Sequence, residues 1–241
     1  MKILPISVYS QRNAECAVAS MASVSNFYRS DLDYEYMRDL VGRSFPNFSK
    51  EGLDTGEMCI VLNKVGFRRV SIVSTDVGIF DYKWRTFSKQ KMKETLKLKI
   101  KKTKNKDDKE YAKLYYKFLD FNKNNKLILD YEFDKYIVKE IDKNRPLLLS
   151  FNWNILFREP KRDKNEVEDQ FTGEYMYHAV VVCGYNKAGV FLADSHKSMR
   201  SRRNIKYIKK GIYHVEWKYI MLALGRAGDL ILLDKINDKL V

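Results

Sequence analysis

The chain has 241 residues, of which 45% are hydrophobic, and a formal net charge of +14. This composition supports one sizeable core and argues against disorder of the whole chain. The sequence has no apolar run of about 18 residues, so no membrane span is expected, and its N-terminal apolar stretch is too short for a secretory signal. Its three cysteines have neither a disulfide pattern nor zinc-ligand spacing. We therefore expect a cytoplasmic protein with free thiols and no cofactor.

The positive charge is concentrated in two segments. Residues 83–109 contain twelve Lys or Arg and three Asp or Glu, and residues 197–210 contain seven Lys or Arg and no acid. Such patches suit phosphate groups, an anionic membrane surface or an acidic partner. The alternative is a solvated lysine-rich surface without a partner, because charge runs carry no sequence code of their own.

The N-terminal part of the chain is predicted to be helical. Residues 15–28 have a broad apolar face at helical spacing, with Asn13 as the expected N-cap and Glu15 at the positive helix end. A second short helix is predicted over 31–41. A further helix in "EMCIVLNKVGF" is expected to end at Gly66 as its C-cap, and "RRVSIVSTDVG" is predicted to follow as a strand.

Residues 84–131 form a lysine-rich segment whose first half is ambiguous. "TLKLKIKK" alternates with period two, as in a strand, whereas Met92, Leu96 and Ile100 fit helical spacing. The acids at the start of "DDKEYAKLYYKFLDF" favour a helix there. Another helix is predicted in "EFDKYIVKEIDKN", ended by Arg145-Pro146.

The C-terminal part is predicted to be a sheet. Its expected strands are "LLLSFNW", "YHAVVVCGYN", "GVFLADS", "GIYHVEW" and "DLILLDKI". The second and third of these are joined by a turn at "NKAG", which predicts a hairpin. Helices therefore come first and a mostly antiparallel sheet comes last, which indicates an α+β fold.

Cys16 is a candidate nucleophile because of its place in the first turn of a predicted helix. Unpaired N–H groups and the helix dipole favour negative charge there, and a thiol is a good nucleophile only as the thiolate. The alternative is a small buried side chain on an alanine-rich face, which is common for cysteine. Cys59 and Cys183 are expected in the core.

His178 is the best-placed partner for Cys16 among the three histidines. It begins the predicted hairpin, which brings residue 178 roughly opposite 194–196. Asp194 could then accept a hydrogen bond from His178 and fix its tautomer. Asn186 is a weaker candidate for that task because it lies in the turn. A strand histidine and a turn aspartate without catalytic roles are the alternatives.

Gln11 completes the candidate site. Its side-chain amide, together with the backbone N–H of Cys16, could donate to a developing oxyanion. An exposed loop residue is the alternative for Gln11.

In this order, Gln11, Cys16, His178 and Asp194 resemble the site of papain-like cysteine peptidases. The closer similarity is to the double-glycine, bacteriocin-leader-processing peptidases and their stand-alone relatives, through "EMCIVLNKVGFRRVSIV", "KNRPLLLSFNW", "HAVVVCGY" and "ADS". The resemblance covers residues 8–82 and 135–196. It implies a papain-like fold and hydrolysis of an amide bond in a peptide or protein. Whether cleavage follows a glycine pair, as in that family, is left open by these residues.

The chain departs from this family pattern at three positions. The step from Gln11 to Cys16 is five residues, one shorter than usual, Ala17 stands in place of a glycine, and Ser195 in place of a proline. The short step puts the role of Gln11 in question more than that of Cys16. We expect one papain-like domain over 1–241, with 84–131 as a basic helical insertion.

Two other functions use the same residues differently. The thioester could pass to an amine, which would make the protein an acyltransferase, or the module could be inactive and bind a peptide, with the basic segments docking it on nucleic acid or membrane. The stretch from Asp120 resembles a calcium-binding loop. However, Asn125 and Tyr131 stand where that loop needs glycine and glutamate, so a polar turn is expected instead.

Overall fold

The computed structural model describes residues 1–76, 78–163, 167–196, 203–209, 211–225 and 228–236. The helices are α1 (Cys16–Tyr28), α2 (Tyr34–Ser44), α3 (Phe48–Glu51), α4 (Thr55–Val65), α5 (Lys89–Lys102), α6 (Lys106–Phe121), α7 (Phe133–Asp142), α8 (Trp153–Phe157) and α9 (Trp217–Leu224). The strands are β1 (Lys2–Ile3), β2 (Val70–Ser74), β3 (Lys126–Leu129), β4 (Leu147–Asn152), β5 (Tyr177–Tyr185), β6 (Gly189–Ala193), β7 (Ile205–Lys209), β8 (Ile212–Glu216) and β9 (Asp229–Leu233).

These strands form one sheet in the order β3–β2–β9–β4–β5–β6–β8–β7, and β1 pairs with β5. Among the described strands, β2 and β3 run parallel and the other neighbours run antiparallel. The predicted α+β fold is therefore confirmed. Asn152 at the end of β4, His178 near the start of β5 and Ala193 at the end of β6 lie at the same end of the strands. This follows because β5 pairs antiparallel with both β4 and β6.

Helices cover both faces of the sheet. The first core joins α1, α2, α4, α5 and α6 to one face, and the second joins α7, α8 and α9 to the other. β5 contributes to both cores through its period-two alternation: Val180 and Val182 belong to the second core, while Val181 and Cys183 belong to the first. The N-terminal helices thus pack on the sheet as expected, and later helices cover its opposite face.

The helix boundaries correct one prediction and confirm another. Asn13 is not the N-cap of α1, because Glu15 occupies that position and its side chain makes no capping hydrogen bond. The Glu15 carboxylate instead reaches α2. Gly66 does end α4: its φ is 111° in the left-handed region, which glycine adopts without strain.

The ambiguous lysine-rich stretch is the helix α5. Met92 and Leu96 are buried on its inner face, so burial against the core favours the helical spacing over the strand-like alternation. The calcium-loop-like stretch serves as a connection, because Asp120 pairs with Lys93 at 2.5 Å and Lys126–Leu129 pairs with β2. That 84–131 is an insertion in a single domain stays a prediction.

Two further predictions concern a membrane span and the second basic segment. None of the helices in the described ranges is both long enough and apolar enough to cross a bilayer. Half of the second basic segment, residues 197–202 and 210, lies outside the described residues.

Candidate active site

The N-terminus of α1 is attached to the start of β5 through Ala179. The Ser20 hydroxyl donates to the Ala179 carbonyl oxygen at 2.8 Å, and the nearby Ala179 N–H lowers the pKa of Cys16. Cys16 and Ser20 are four residues apart, so they share one face of α1. This pair of contacts places the half-buried Cys16 thiol beside the residue that precedes Ala179, which is His178.

His178 is the second residue of β5 and lies opposite Phe151 of β4. Its ring lies edge-on to Phe151 and Trp153, with centroid distances of 5.8 Å and 4.9 Å. The ring lies beside the Cys16 sulfur, and each of the two groups shifts the pKa of the other. Because its Nε2 is used by Asp194, the remaining nitrogen, Nδ1, serves the sulfur. Two aromatic walls and two polar partners therefore hold the imidazole in one orientation.

Asp194 follows β6 directly and is almost fully buried, with 1% of its surface exposed. Its Oδ1 lies 2.8 Å from His178 Nε2 and accepts the His196 N–H at 2.8 Å. Its Oδ2 accepts the Tyr213 hydroxyl at 2.7 Å. A buried carboxylate needs such donors to stay ionised, and these lower the pKa of Asp194 despite its burial, with His178 as the main cause.

The three groups shift one another's pKa values. Burial alone would raise the pKa of Cys16, but the positive charge and hydrogen bond of His178, with the Ala179 N–H, lower it. Burial alone would lower the pKa of His178, but the charges of Asp194 and Cys16 raise it to about 10. Both directions favour a thiolate–imidazolium pair at neutral pH.

Gln11 lies in the same cleft as Cys16 and is tied to the residue after Asp194. The Ser195 hydroxyl donates to Gln11 Oε1 at 2.7 Å, and the Gln11 N–H donates to the Ser195 carbonyl oxygen at 3.2 Å. With its oxygen engaged, the Gln11 amide has its NH₂ group left to donate. The structure therefore brings all four predicted site residues to one place.

These residues open onto a cleft of about 1610 Å³. The cleft is lined by residues 11–14, 16, 49–50, 153, 159, 162–163, 169, 172, 174–178 and 196. His196 lines the cleft and lies 5.2 Å from Trp153, measured between ring centroids. A cleft of this size can hold several residues of an extended peptide.

Sequence reasoning missed Tyr213, Trp153 and Ser195 as contacts of the site. The pairing of β6 with β8 sets Tyr213 opposite Leu192, which brings its hydroxyl to Asp194. The strand pattern does predict β8, but it does not say which strand β8 pairs with. The Trp153 indole N–H donates to Glu159 at 2.8 Å, a contact between the first residue of α8 and the segment after it that no spacing indicated.

The remaining cysteines, with His214 and Asn186, lie away from the cleft lining. Cys59 and Cys183 are buried, as expected, and burial raises the pKa of both thiols. His214 lies on β8 with its Nε2 3.1 Å from Asn186 Oδ1, and Asn186 also accepts the Ala188 and Gly189 N–H groups. Asn186 is thus a turn residue. Within the described ranges, no cluster of three His, Cys, Asp or Glu side chains could hold a metal ion.

A cysteine at a helix N-terminus, packed against a strand-borne histidine of an antiparallel sheet, is the architecture of papain-like cysteine peptidases. The model of the Peptidase_C39 like family matches residues 3–222, and the chain belongs to that family. The match confirms the resemblance drawn from the motifs and supports the class of cysteine peptidases.

Comparison with solved structures and curated sequences adds two findings. The chain is similar to the structure of Xylellain, a cysteine protease from Xylella fastidiosa, with 13% sequence identity and a TM-score of 0.49. That similarity covers 98% of this chain and 86% of the other. No curated protein sequence matches the chain.

Proposed function

We propose that the protein cleaves peptide bonds with Cys16 as nucleophile, His178 as general base and acid, and Asp194 as the group that orients His178. The observation that supports this most is the 2.8 Å contact between Asp194 and His178, with His178 lowering the pKa of Cys16, at the wall of a peptide-sized cleft. A thiolate beside an imidazolium is the activated form of a cysteine nucleophile.

In the proposed reaction, the Cys16 thiolate attacks the carbonyl carbon and the carbonyl oxygen becomes an oxyanion. The Cys16 backbone N–H and the Gln11 amide donate to that oxyanion. His178 gives its proton to the leaving amine as the C–N bond breaks, which leaves a thioester on Cys16. His178 then takes a proton from the water that attacks the thioester, and cleavage of the C–S bond releases the carboxylic acid and restores the Cys16 thiolate beside protonated His178.

The pH dependence of thiol alkylation tests the proposed nucleophile. The lowered pKa of Cys16 shifts its ionisation below that of an ordinary thiol, so we expect its iodoacetamide labelling rate to level off at a lower pH than the rate of an unperturbed thiol. An ordinary thiol, with a pKa of about 8.5, instead reacts about tenfold faster per pH unit below that value. The measurement is the labelling rate of each cysteine by mass spectrometry, from about pH 5 to about pH 9.

The control is the same chain unfolded in urea, in which Cys16 is expected to follow the ordinary profile and Cys59 and Cys183 become reactive. A folded Cys16 whose labelling rate follows the unfolded profile would contradict the proposal.

A second experiment identifies the reaction. Peptides with and without a glycine pair are incubated with the protein, in the presence and absence of an added amine, and the products are identified by mass. Transfer to the amine would indicate an acyltransferase, and no turnover by a reactive Cys16 would favour a peptide-binding module.

We propose further that α5 and the residues after it bind a polyanion such as single-stranded nucleic acid. Lys101, Lys102, Lys104 and Lys106 are exposed, and the described part of the chain gives none of them an ion pair within 4.0 Å. The apolar face of α5 is buried in the core. An apolar face that is already covered cannot insert into lipid, so charge attraction to phosphates is the favoured mode.

A salt titration tests this surface. We expect binding of a short single-stranded DNA to weaken with salt, and replacing these four lysines with glutamine to reduce the slope of log K against log salt by roughly three. The matched variant replaces Lys109, Lys113, Lys117 and Lys123 with glutamine. Its slope of log K against log salt should stay closer to that of the wild type. A wild-type slope near zero would remove the proposal, and binding confined to anionic vesicles would show that lipid is the partner.

A further inference from the structure

Glu15 is a buried carboxylate directly before the candidate nucleophile. Only 2% of its surface is exposed, and although it occupies the N-cap position of α1, its side chain does not cap the helix. Burying a carboxylate is costly unless its charge is paired and its oxygens are hydrogen-bonded. A smaller N-cap such as serine would satisfy the helix end without that cost, so the contacts that Glu15 makes elsewhere require an explanation.

Those contacts tie the cleft segment to α2. The Tyr34 hydroxyl donates to Glu15 Oε2, and Arg38 Nε lies 3.2 Å from Oε1 and 3.3 Å from Oε2. The same Tyr34 hydroxyl accepts the Arg12 N–H at 3.4 Å. One hydroxyl of α2 therefore holds both the backbone at residue 12 and the side chain at residue 15.

The other end of the segment is held by the sheet. Gln11 exchanges two hydrogen bonds with Ser195, the residue after Asp194. The stretch from Gln11 to Glu15 is thus hydrogen-bonded to Ser195 at Gln11 and to α2 at Glu15. The Gln11 amide and the Cys16 backbone N–H, the two proposed oxyanion donors, lie at the two ends of this fastened stretch.

We propose that Glu15, through Tyr34 and Arg38, is a positioning residue that sets the spacing between the two oxyanion donors; this inference rests on the proposed peptidase function. Donors stabilise an oxyanion only when both lie at hydrogen-bond distance from one oxygen position. The carboxylate is directed to α2, while the Cys16 sulfur has its own partners in His178 and Ala179. Glu15 therefore acts on where the donors lie, and the reactivity of the thiolate is set elsewhere.

Two reagents separate these effects without needing the natural substrate. Acylation of Cys16 by p-nitrophenyl acetate passes through an oxyanion, whereas alkylation by iodoacetamide does not. In the full chain, we expect Glu15→Gln and Tyr34→Phe each to slow acylation roughly 10- to 100-fold and to change alkylation by less than about threefold. Glu15→Asp, which keeps the charge on a shorter side chain, should recover part of the acylation rate.

The matched control is Asp39→Asn. It removes an exposed carboxylate of α2, the helix that carries Tyr34 and Arg38, where Asp39 pairs with Arg43 at 2.8 Å. Both of its rates should equal those of the wild type. The inference is overturned if the Glu15 and Tyr34 variants keep the wild-type acylation rate, or if acylation and alkylation fall in parallel. A wild-type Cys16 that is alkylated but never acylated would instead reject the proposed function itself, whatever the variants do.

Discussion

Replacing Cys16 with serine should reduce peptide cleavage by at least about 1000-fold, because the reaction loses its thiolate. The raised pKa of His178 and the lowered pKa of Cys16 stabilise a thiolate–imidazolium pair. A serine hydroxyl ionises far less readily, so the same imidazole cannot keep it charged. The measurement is kcat/KM on a peptide that the wild type cleaves, with labelling of the remaining cysteines to verify folding.

Cys183→Ser is the matched control for this substitution. The Cys183 thiol is buried in the core and lies 3.4 Å from the Phe191 carbonyl oxygen, to which a serine hydroxyl can also donate. We expect this variant to retain activity close to that of the wild type. A Cys16→Ser protein that kept more than about a tenth of wild-type kcat/KM would reject Cys16 as the nucleophile.

Replacing Asp194 with asparagine should lower kcat by roughly 100- to 10 000-fold, because the neutral amide does not stabilise the imidazolium. Asp194 accepts from His178 Nε2, which leaves Nδ1 facing Cys16, and its charge raises the pKa of His178. Without that charge the pKa of His178 falls and the ion pair weakens. The labelling profile of Cys16 should therefore move toward alkaline pH, which measures the loss of the pair separately from turnover.

Tyr213→Phe provides a graded comparison at the same carboxylate. The Tyr213 hydroxyl donates to Asp194 Oδ2 at 2.7 Å, so its removal takes away one donor and leaves the negative charge in place. We expect a loss of less than about tenfold. If Asp194→Asn lost no more activity than Tyr213→Phe, the charge of Asp194 would not be what the reaction requires.

Local patterns were sufficient for much of the fold. Helical spacing placed α1 and α4, and Gly66 marked the end of α4 because the left-handed conformation there suits glycine. Period-two alternation placed β5 and β6, and the short turn between them fixed their register. In the structure the register shifts by one residue between Val182 and Gly184, and with that shift His178 lies within reach of Asp194.

Other features depended on contacts that no local pattern carries. "TLKLKIKK" satisfies both the strand and the helix period, and burial of Met92 and Leu96 made it a helix. Asn13 had the right chemistry for an N-cap, but the partners of Glu15 on α2 placed the helix start two residues later. Tyr213 reaches Asp194 because β8 is the neighbour of β6, a pairing set by the whole sheet.

The amino-acid sequence by itself determined the candidate groups of this protein and the elements that carry them, because helix period, strand alternation and turn chemistry act over a few neighbouring residues. Only the tertiary structure decided how those groups meet. Cys16 and His178 are brought together because α1 packs against Ala179. Gln11 is held by its hydrogen bond with Ser195, and Glu15 is held by its hydrogen bond with Tyr34 of α2. Such contacts join residues far apart in the chain, and their geometry depends on packing of the complete core.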